Sequence, residues 1–273
     1  ADGYPLHLAH INAYCRGAIK NEIDEARTAI ELLNANPNIF SESYISPKNG
    51  TRLTCGPDGK IQSKVTGNCL RHFGFTEDRD GVRKALLAHK AFAVYDAGGY
   101  SDLMTGEDAV KLWESHNTDV GGSFNINPPI PRILLAQVKR PDGAFVVDAI
   151  STDGGCIPRN VILSQGLSLV KLDVLTLTEF AQKTSLNPAR MLRLTAKGHL
   201  SVGADADITI YDYATQTPKM SFVEGRKVLF KGEVLGKNAN IICTERGQKA
   251  IEARGLKAIV VDPGLPVDRV KAL

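Results

Sequence analysis

The sequence predicts an α/β fold built on a parallel sheet, and three observations carry that prediction. The first ~45 residues read strand, helix, strand, the pattern of a βαβ unit. A second hydrophobic strand, 144–152 (AFVVDAIST), runs into Asp153-Gly154-Gly155 and then into helical segments. From Gly198 onward the pattern changes to short strands separated by tight turns.

Each element has its own signal. Residues 4–13 (YPLHLAHINA) read as a short buried strand. Residues 20–34 place Ile23, Ala26, Ala29, Ile30 and Leu33 on one helical face, and Asn34, Asn36 and Pro37 break that helix. Residues 38–45 (NIFSESYI) read as the next strand. Residues 46–79 are rich in Gly, Pro, Asn, Lys and Asp and predict a long loop or small hairpin, with GPDGK (56–60) as a turn signal. Residues 80–90 and 106–116 read as helices, the second capped by Thr105. Between them KAFAVYDAGGY (90–100) reads as a strand and a glycine turn.

A short helix is expected at 129–138, and further helices at 158–170, 177–185 and 187–195, the last starting with Asn187 as cap and Pro188 at the first turn. After them come strands at 206–212, 219–225, 226–232 and 233–236, with turns at Glu224-Gly225 and Lys231-Gly232. A helix at 245–254 and a strand at 257–261 complete the expectation.

Composition narrows the function classes. Of 273 residues, 43% are hydrophobic and 23% charged, an ordinary composition for a chain that buries a core. The net charge of +3 is small and the basic residues are dispersed, so nucleic acid is not expected as a partner. No apolar run approaches the ~18 residues of a membrane span, and Ala1–Pro5 are not expected to be part of a signal peptide. The five cysteines (Cys15, Cys55, Cys69, Cys156, Cys243) are odd in number, widely spaced and contain no C-x-x-C pair. Reduced thiols and a cytoplasmic location follow as expectations.

Three segments could carry chemistry. On a strand, His7 and His10 point to opposite faces. His10 lies nearer the C-terminal end, where parallel-barrel sites sit, and is the candidate metal ligand, with His7 left to packing or to supporting the site from behind the ligands. A hydrogen-bonded core histidine is the alternative for this segment. Asp153 directly follows a hydrophobic strand and precedes two glycines, where a ligand or backbone must approach closely. A carboxylate there can hold a metal and take a proton from water; an ordinary Asx turn is the alternative. In Asn125-Ile126-Asn127-Pro128-Pro129 the prolines make a rigid extended loop whose Asn127 amide and carbonyl suit substrate recognition, or a plain turn before a helix. No dinucleotide fingerprint is present, and Ser41-Glu42-Ser43 has no partnering histidine nearby in sequence.

The order of the pieces resembles a known family. HLAHIN, NIFSESYI, NINPPIPR, a strand ending in STDGG, LTEFAQKTSLNPARMLRL, KGHLSVGADADITIYD and the hairpin FVEGRKVLFKGE follow one another as in the later part of the amidohydrolase superfamily. The likeness is greatest to the hydantoinase, dihydropyrimidinase and dihydroorotase branch. It covers roughly residues 5–45 and 124–235, and 187–212 is its most specific stretch.

The resemblance implies the C-terminal part of a TIM-like (β/α)8 barrel in residues 1–197, interrupted by an insertion at about 46–120, with strands of a small β-sandwich and an extension in 198–273. It implies that His10 is the metal ligand at the end of the sixth barrel strand. Asp153, after the eighth strand, would be metal ligand and general base. Ser41, Tyr44, Asn127, Pro128 and Gly154 would face the substrate. One or two divalent ions, Zn2+-type, would activate the water that cleaves an amide, cyclic amide or ureide C–N bond.

The family's first-strand H-x-H pair, fourth-strand lysine and fifth-strand histidine have no counterpart here. Another chain or cleaved fragment is therefore expected to supply the N-terminal half of the barrel, within an oligomer. Two alternatives of function stand beside the hydrolase: a non-catalytic hydantoinase-like scaffold, and a formyl-handling subunit similar to the amidohydrolase-like component of formylmethanofuran dehydrogenase.

Overall fold

The computed structural model describes residues 6–154, 157–236, 240–262 and 264. Ala1–Pro5, Gly155 and Cys156, named above, lie outside them.

In chain order the elements are β1 (Leu6–Leu8), α1 (Glu22–Ala35), β2 (Ile39–Tyr44), β3 (Thr51–Arg52), α2 (Lys64–His72), α3 (Arg79–Leu87), β4 (Ala91–Asp96) and β5 (Ser101–Met104). They continue with α4 (Glu107–Ser115), β6 (Gly121–Phe124), α5 (Pro129–Gln137), β7 (Ala149–Ser151), α6 (Leu167–Lys171), α7 (Leu177–Ala181) and α8 (Asn187–Met191). The C-terminal part holds β8 (Ile208–Asp212), β9 (Thr217–Val223), β10 (Arg226–Phe230), β11 (Glu233–Val234), β12 (Asn240–Cys243), α9 (Glu245–Glu252) and β13 (Lys257–Val260). None of the described helices is long and apolar enough to cross a membrane.

The chain forms two compact units. The first takes the described residues up to Ile45, then Pro131–Ser151, then those from Val161 onward; the second takes Ser46–Ile130 and Thr152–Asn160.

In the first unit the expected parallel sheet is present. Its order is β1-β2-β7 with both pairs parallel, Leu8 opposite Ser41 and Tyr44 opposite Ser151. Helix α1 forms because Asn21 caps it, its side chain accepting the Asp24 amide, and because Glu22, Asp24 and Glu25 complement the helix dipole in the first turn. Its inner face, Ala26, Ala29 and Leu33, packs with Ile11, Leu135, Val146 and Val147. A second cluster gathers Ile45, Phe145, Ile150, Leu169 and Leu175.

Two strands are shorter than expected. β1 ends at Leu8 because His10 turns left-handed and Ile11–Tyr14 wind into a 3-10 turn. β7 begins only at Ala149: Val146 donates to the Val138 carbonyl and Lys139 bridges Phe145, so that stretch spends its backbone groups on the preceding turn.

The predicted break at Asn187 is corrected. The chain runs on from α7 through a π turn, Gln182–Leu186, directly into α8. The widened turn accommodates Pro188, which has no amide to offer. The Asn187 side chain donates to the Asp148 carbonyl at 2.7 Å instead of capping. The C-terminal sheet, β11-β10-β9-β8, is antiparallel. Its turns fall at the positions expected: Glu224 (φ 50) and Gly225 (φ 74), then Lys231 (φ 50) and Gly232 (φ 86), have the two successive positive φ angles that tight hairpins demand. β12 and β13 pair in parallel around α9.

The second unit has its own α+β core. The sheet order is β3-β6-β4-β5, antiparallel throughout. Leu53, Leu70, Val82, Leu86, Trp113 and Phe124 fill the space between it and its helices, and Trp113 donates its indole N–H to the Leu53 carbonyl at 2.9 Å. The expected loop at 46–79 contains helix α2, which Gly67 and Asn68 disguised; Ser63 caps it through the Thr66 amide. Gly106, not Thr105, occupies the cap of α4, while the Thr105 hydroxyl serves the Leu86 and Ala91 carbonyls.

Candidate metal and catalytic site

His10 stands just past the end of β1 with φ 58 and ψ 46, a left-handed conformation that costs a non-glycine residue about 1–2 kcal/mol. A buried carboxylate holds it there. The His10 amide donates to Glu42 Oε1 at 2.6 Å, and its imidazole Nδ1 lies 2.5 Å from the same oxygen. The other carboxylate oxygen, Oε2, accepts the Ser151 hydroxyl. One side chain on β2 thus ties together the C-terminal ends of β1 and β7, and the His10 amide and the Ser151 hydroxyl donate to a carboxylate only 7% exposed. The strand argument for His10 is corrected accordingly: its direction follows from the turn and from Glu42, not from strand alternation.

Tyr44, 1% exposed, meets the His10 ring edge-on at 5.5 Å between centroids. Its hydroxyl accepts from Arg16 Nη2 at 2.5 Å. Asn12 extends the ladder beyond β1, since its side-chain amide donates to the Tyr44 carbonyl and accepts the Tyr44 amide, both at 3.0 Å. Ser41 is fully buried: its hydroxyl donates to the Leu8 carbonyl at 2.8 Å and its amide to Asp148 Oδ2 at 2.9 Å.

The other expected residues belong to the second unit. Asp153 (φ 51) accepts from Arg159 Nη1 at 3.0 Å through Oδ2, and the same Nη1 donates to the Lys48 carbonyl at 3.1 Å. A Cβ at the neighbouring Gly154 would stand 3.1 Å from Thr152 Oγ1, closer than most side chains tolerate. Asn127 is buried; its side-chain amide donates to the Ser46 and Lys48 carbonyls at 3.1 and 3.0 Å, and its backbone amide to the Pro47 carbonyl at 3.1 Å. That amide therefore pins the 46–48 segment, where the sequence suggested it was available to substrate. Pro128 is half-buried at the head of α5.

Sequence reasoning paired neither His10 with Glu42 nor Asp153 with Arg159. Glu42 had a signal, a charged residue inside an apolar strand, which demands a partner; that partner is 32 residues upstream. Arg159 had none.

A carboxylate against Nδ1 is the arrangement that sets the tautomer and orientation of a metal-binding histidine. Among the described residues no cluster of three or more His, Cys, Asp or Glu could hold a metal ion. The parallel sheet and its helices have the fold of part of a (β/α)8 barrel, accompanied by a small antiparallel β-sheet. Residues 167–235 match the amidohydrolase family.

One component of the formyltransferase/hydrolase complex Fhc from Methylorubrum extorquens, its FhcA chain, is 24% identical over 260 residues, which cover 86% of this chain and 44% of that one. Two solved structures of D-aminoacylase share the fold. One, from a study of its binuclear metal centre, has a TM-score of 0.54 at 14% identity and covers 85% of this chain and 48% of that one. The other, described as defining a subset of amidohydrolases, has a TM-score of 0.52 at 13% identity with the same coverage. The chain spans about half the length of these relatives.

Proposed function

We propose that this chain contributes to a metal-dependent hydrolase of amide-type C–N bonds, with His10 and Asp153 as metal ligands. The observation that carries the reading is the His10–Glu42 contact. With Nδ1 against a buried carboxylate, Nε2 is the nitrogen presented to a cation, and the orientation is set before any ion arrives. An imidazole and a carboxylate are the donor types of Zn2+-type sites, mononuclear or binuclear.

Such an ion, when bound, lowers the pKa of water from about 15.7 toward about 7 and polarises a carbonyl. Asp153 takes the proton from the attacking water and later returns it to the departing nitrogen. To do so, its Oδ2 exchanges the contact with Arg159 for the reacting water. Tyr44, Ser41, Asn127, Pro128 and Gly154 belong to the segments that would face a small-molecule substrate, a cyclic amide or ureide in the hydantoinase-like version of the reading.

The remaining ligands and strands come from further sequence. Among the described residues, β1 and β7 each leave one edge of the parallel sheet unpaired, and such edges demand partners. In this reading a partner chain or fragment completes the barrel within an oligomer.

One second reading has a specific observation behind it. The similarity to the Fhc component extends over 86% of this chain, so formyl-group handling inside a larger assembly is the alternative chemistry. A non-catalytic scaffold is the third outcome.

The test is metal analysis of the purified native assembly beside His10→Ala and Asp153→Ala variants. Loss of about one equivalent of metal in each is expected. Full occupancy in both variants overturns the assignment. Turnover of an N-formyl substrate without turnover of N-acyl or cyclic amides selects the second reading.

A further inference from the structure

We propose that the second unit carries a binding site for a carboxylate attached to an apolar body, anchored by Arg159. This goes beyond the hydrolase reading and does not depend on it.

The unit contains a cavity of about 650 Å3, with Val94, Leu112, Val120 and Ile157 among its apolar walls and Arg159 as a cation that is only 3% exposed. Burying a guanidinium is costly unless its donors are met. Among the described residues Arg159 meets its partners through one nitrogen alone: Nη1 donates to the Lys48 carbonyl and to Asp153 Oδ2. Nε is buried and makes no hydrogen bond among the described residues. The edge formed by Nε and Nη2 is therefore a preformed pair of parallel donors. Two parallel donors at that spacing match the two oxygens of one carboxylate.

Gly50, also on the cavity wall, leaves space beside Nη2. A Cβ there would stand 3.0 Å from Ile157 Cδ1 and 3.2 Å from Arg159 Nη2.

Several other polar groups at the wall are already engaged. Arg52 is paired with Asp119, Asp96 accepts the Gly98 and Gly99 amides, and His116 Nδ1 contacts the Leu112 carbonyl. The Arg159 edge offers a ligand a charged donor pair, and the aliphatic walls favour an apolar group behind the carboxylate.

The test uses benzoate as probe on the full-length protein in its native assembly, read by saturation-transfer NMR and calorimetry, with benzamide as the neutral counterpart. Saturable benzoate binding at least tenfold tighter than benzamide is expected. Arg159→Gln and Arg159→Lys should each weaken it at least tenfold, since lysine keeps the charge but loses the fork. Gly50→Ala should weaken it at least threefold, with an unchanged melting temperature. Absence of saturable benzoate binding, equal affinity for benzamide, or unaltered affinity in Arg159→Lys overturns the proposal. Should both Arg159 variants fail to fold, Gly50→Ala decides: a folded variant with native benzoate affinity overturns it, and a weakened one supports it.

Discussion

His10 Nδ1 lies 2.5 Å from Glu42 Oε1, and the same oxygen accepts the His10 backbone amide. The carboxylate therefore controls both the ring and the left-handed backbone that carries it. Glu42→Gln preserves shape but removes the charge beside Nδ1, and Glu42→Ala removes the anchor altogether. Either change should weaken metal binding about 10- to 100-fold without unfolding the protein. Competition with a calibrated chelator measures this. Native zinc affinity in Glu42→Ala would show that the contact is structural only.

Glu25 should make the fold acid-sensitive. Burial works against its ionisation, but the amides of Ile19, Lys20, Gly17 and Ala18 outweigh burial and hold its carboxyl below the usual range. The Gly17 and Ile19 amides lie 2.7 Å from its oxygens. A depressed folded-state pKa means that the stabilisation is complete above the unfolded carboxylate value and is lost as pH falls through the folded one. Glu25→Gln should cost about 1–3 kcal/mol at neutral pH and flatten the acid limb of the stability curve. Denaturant melts from pH 3 to 7 check it; parallel curves for the two proteins would refute it.

Lys183 should act at the other end of the pH scale. It is fully buried; its Nζ lies 4.1 Å from the centre of the Phe145 ring and donates to the Val147 carbonyl at 2.6 Å. Burial pushes its pKa down to about 7, against the pull of Asp148 and Glu179. Between pH 7 and the ordinary lysine value of 10.5 the unfolded chain holds a proton that the folded chain has released. Stability therefore rises with pH across that window, by up to about 1.4 kcal/mol per pH unit. Lys183→Met should abolish the rise. Urea melts at pH 7, 8 and 9 measure it, and an identical rise in the variant would assign it to other groups.

Gly81 tests the packing of the second unit. A Cβ there would lie 1.8 Å from the Thr76 carbonyl oxygen, a backbone atom that cannot swing aside. Gly81→Ala should destabilise the fold by about 1–3 kcal/mol although alanine is the better helix former. A rise in melting temperature would contradict the stated contact.

Local signals made much of the fold legible. The βαβ start came from the helical periodicity of residues 20–34 between two apolar strands, and the hairpin turns from Glu224-Gly225 and Lys231-Gly232. Helix α2 is hidden in the sequence because Gly67 and Asn68 are poor helix formers; the Ser63 cap and the burial of its Cys69 and Leu70 in the core hold that segment helical. Of the site, the two chemical residue types at chain positions 10 and 153 could be singled out from their place at strand ends.

By itself, then, the sequence determined which segments alternate, which faces are apolar and where the chain turns, because these follow from interactions between near neighbours. Tertiary structure decided the partners. Glu42 reaches His10 across 32 residues and Ser151 across 109, Asp148 takes the Ser41 amide, and Arg159 meets Asp153. A buried charge must find its complement wherever the folded chain brings one, and no local pattern records that address.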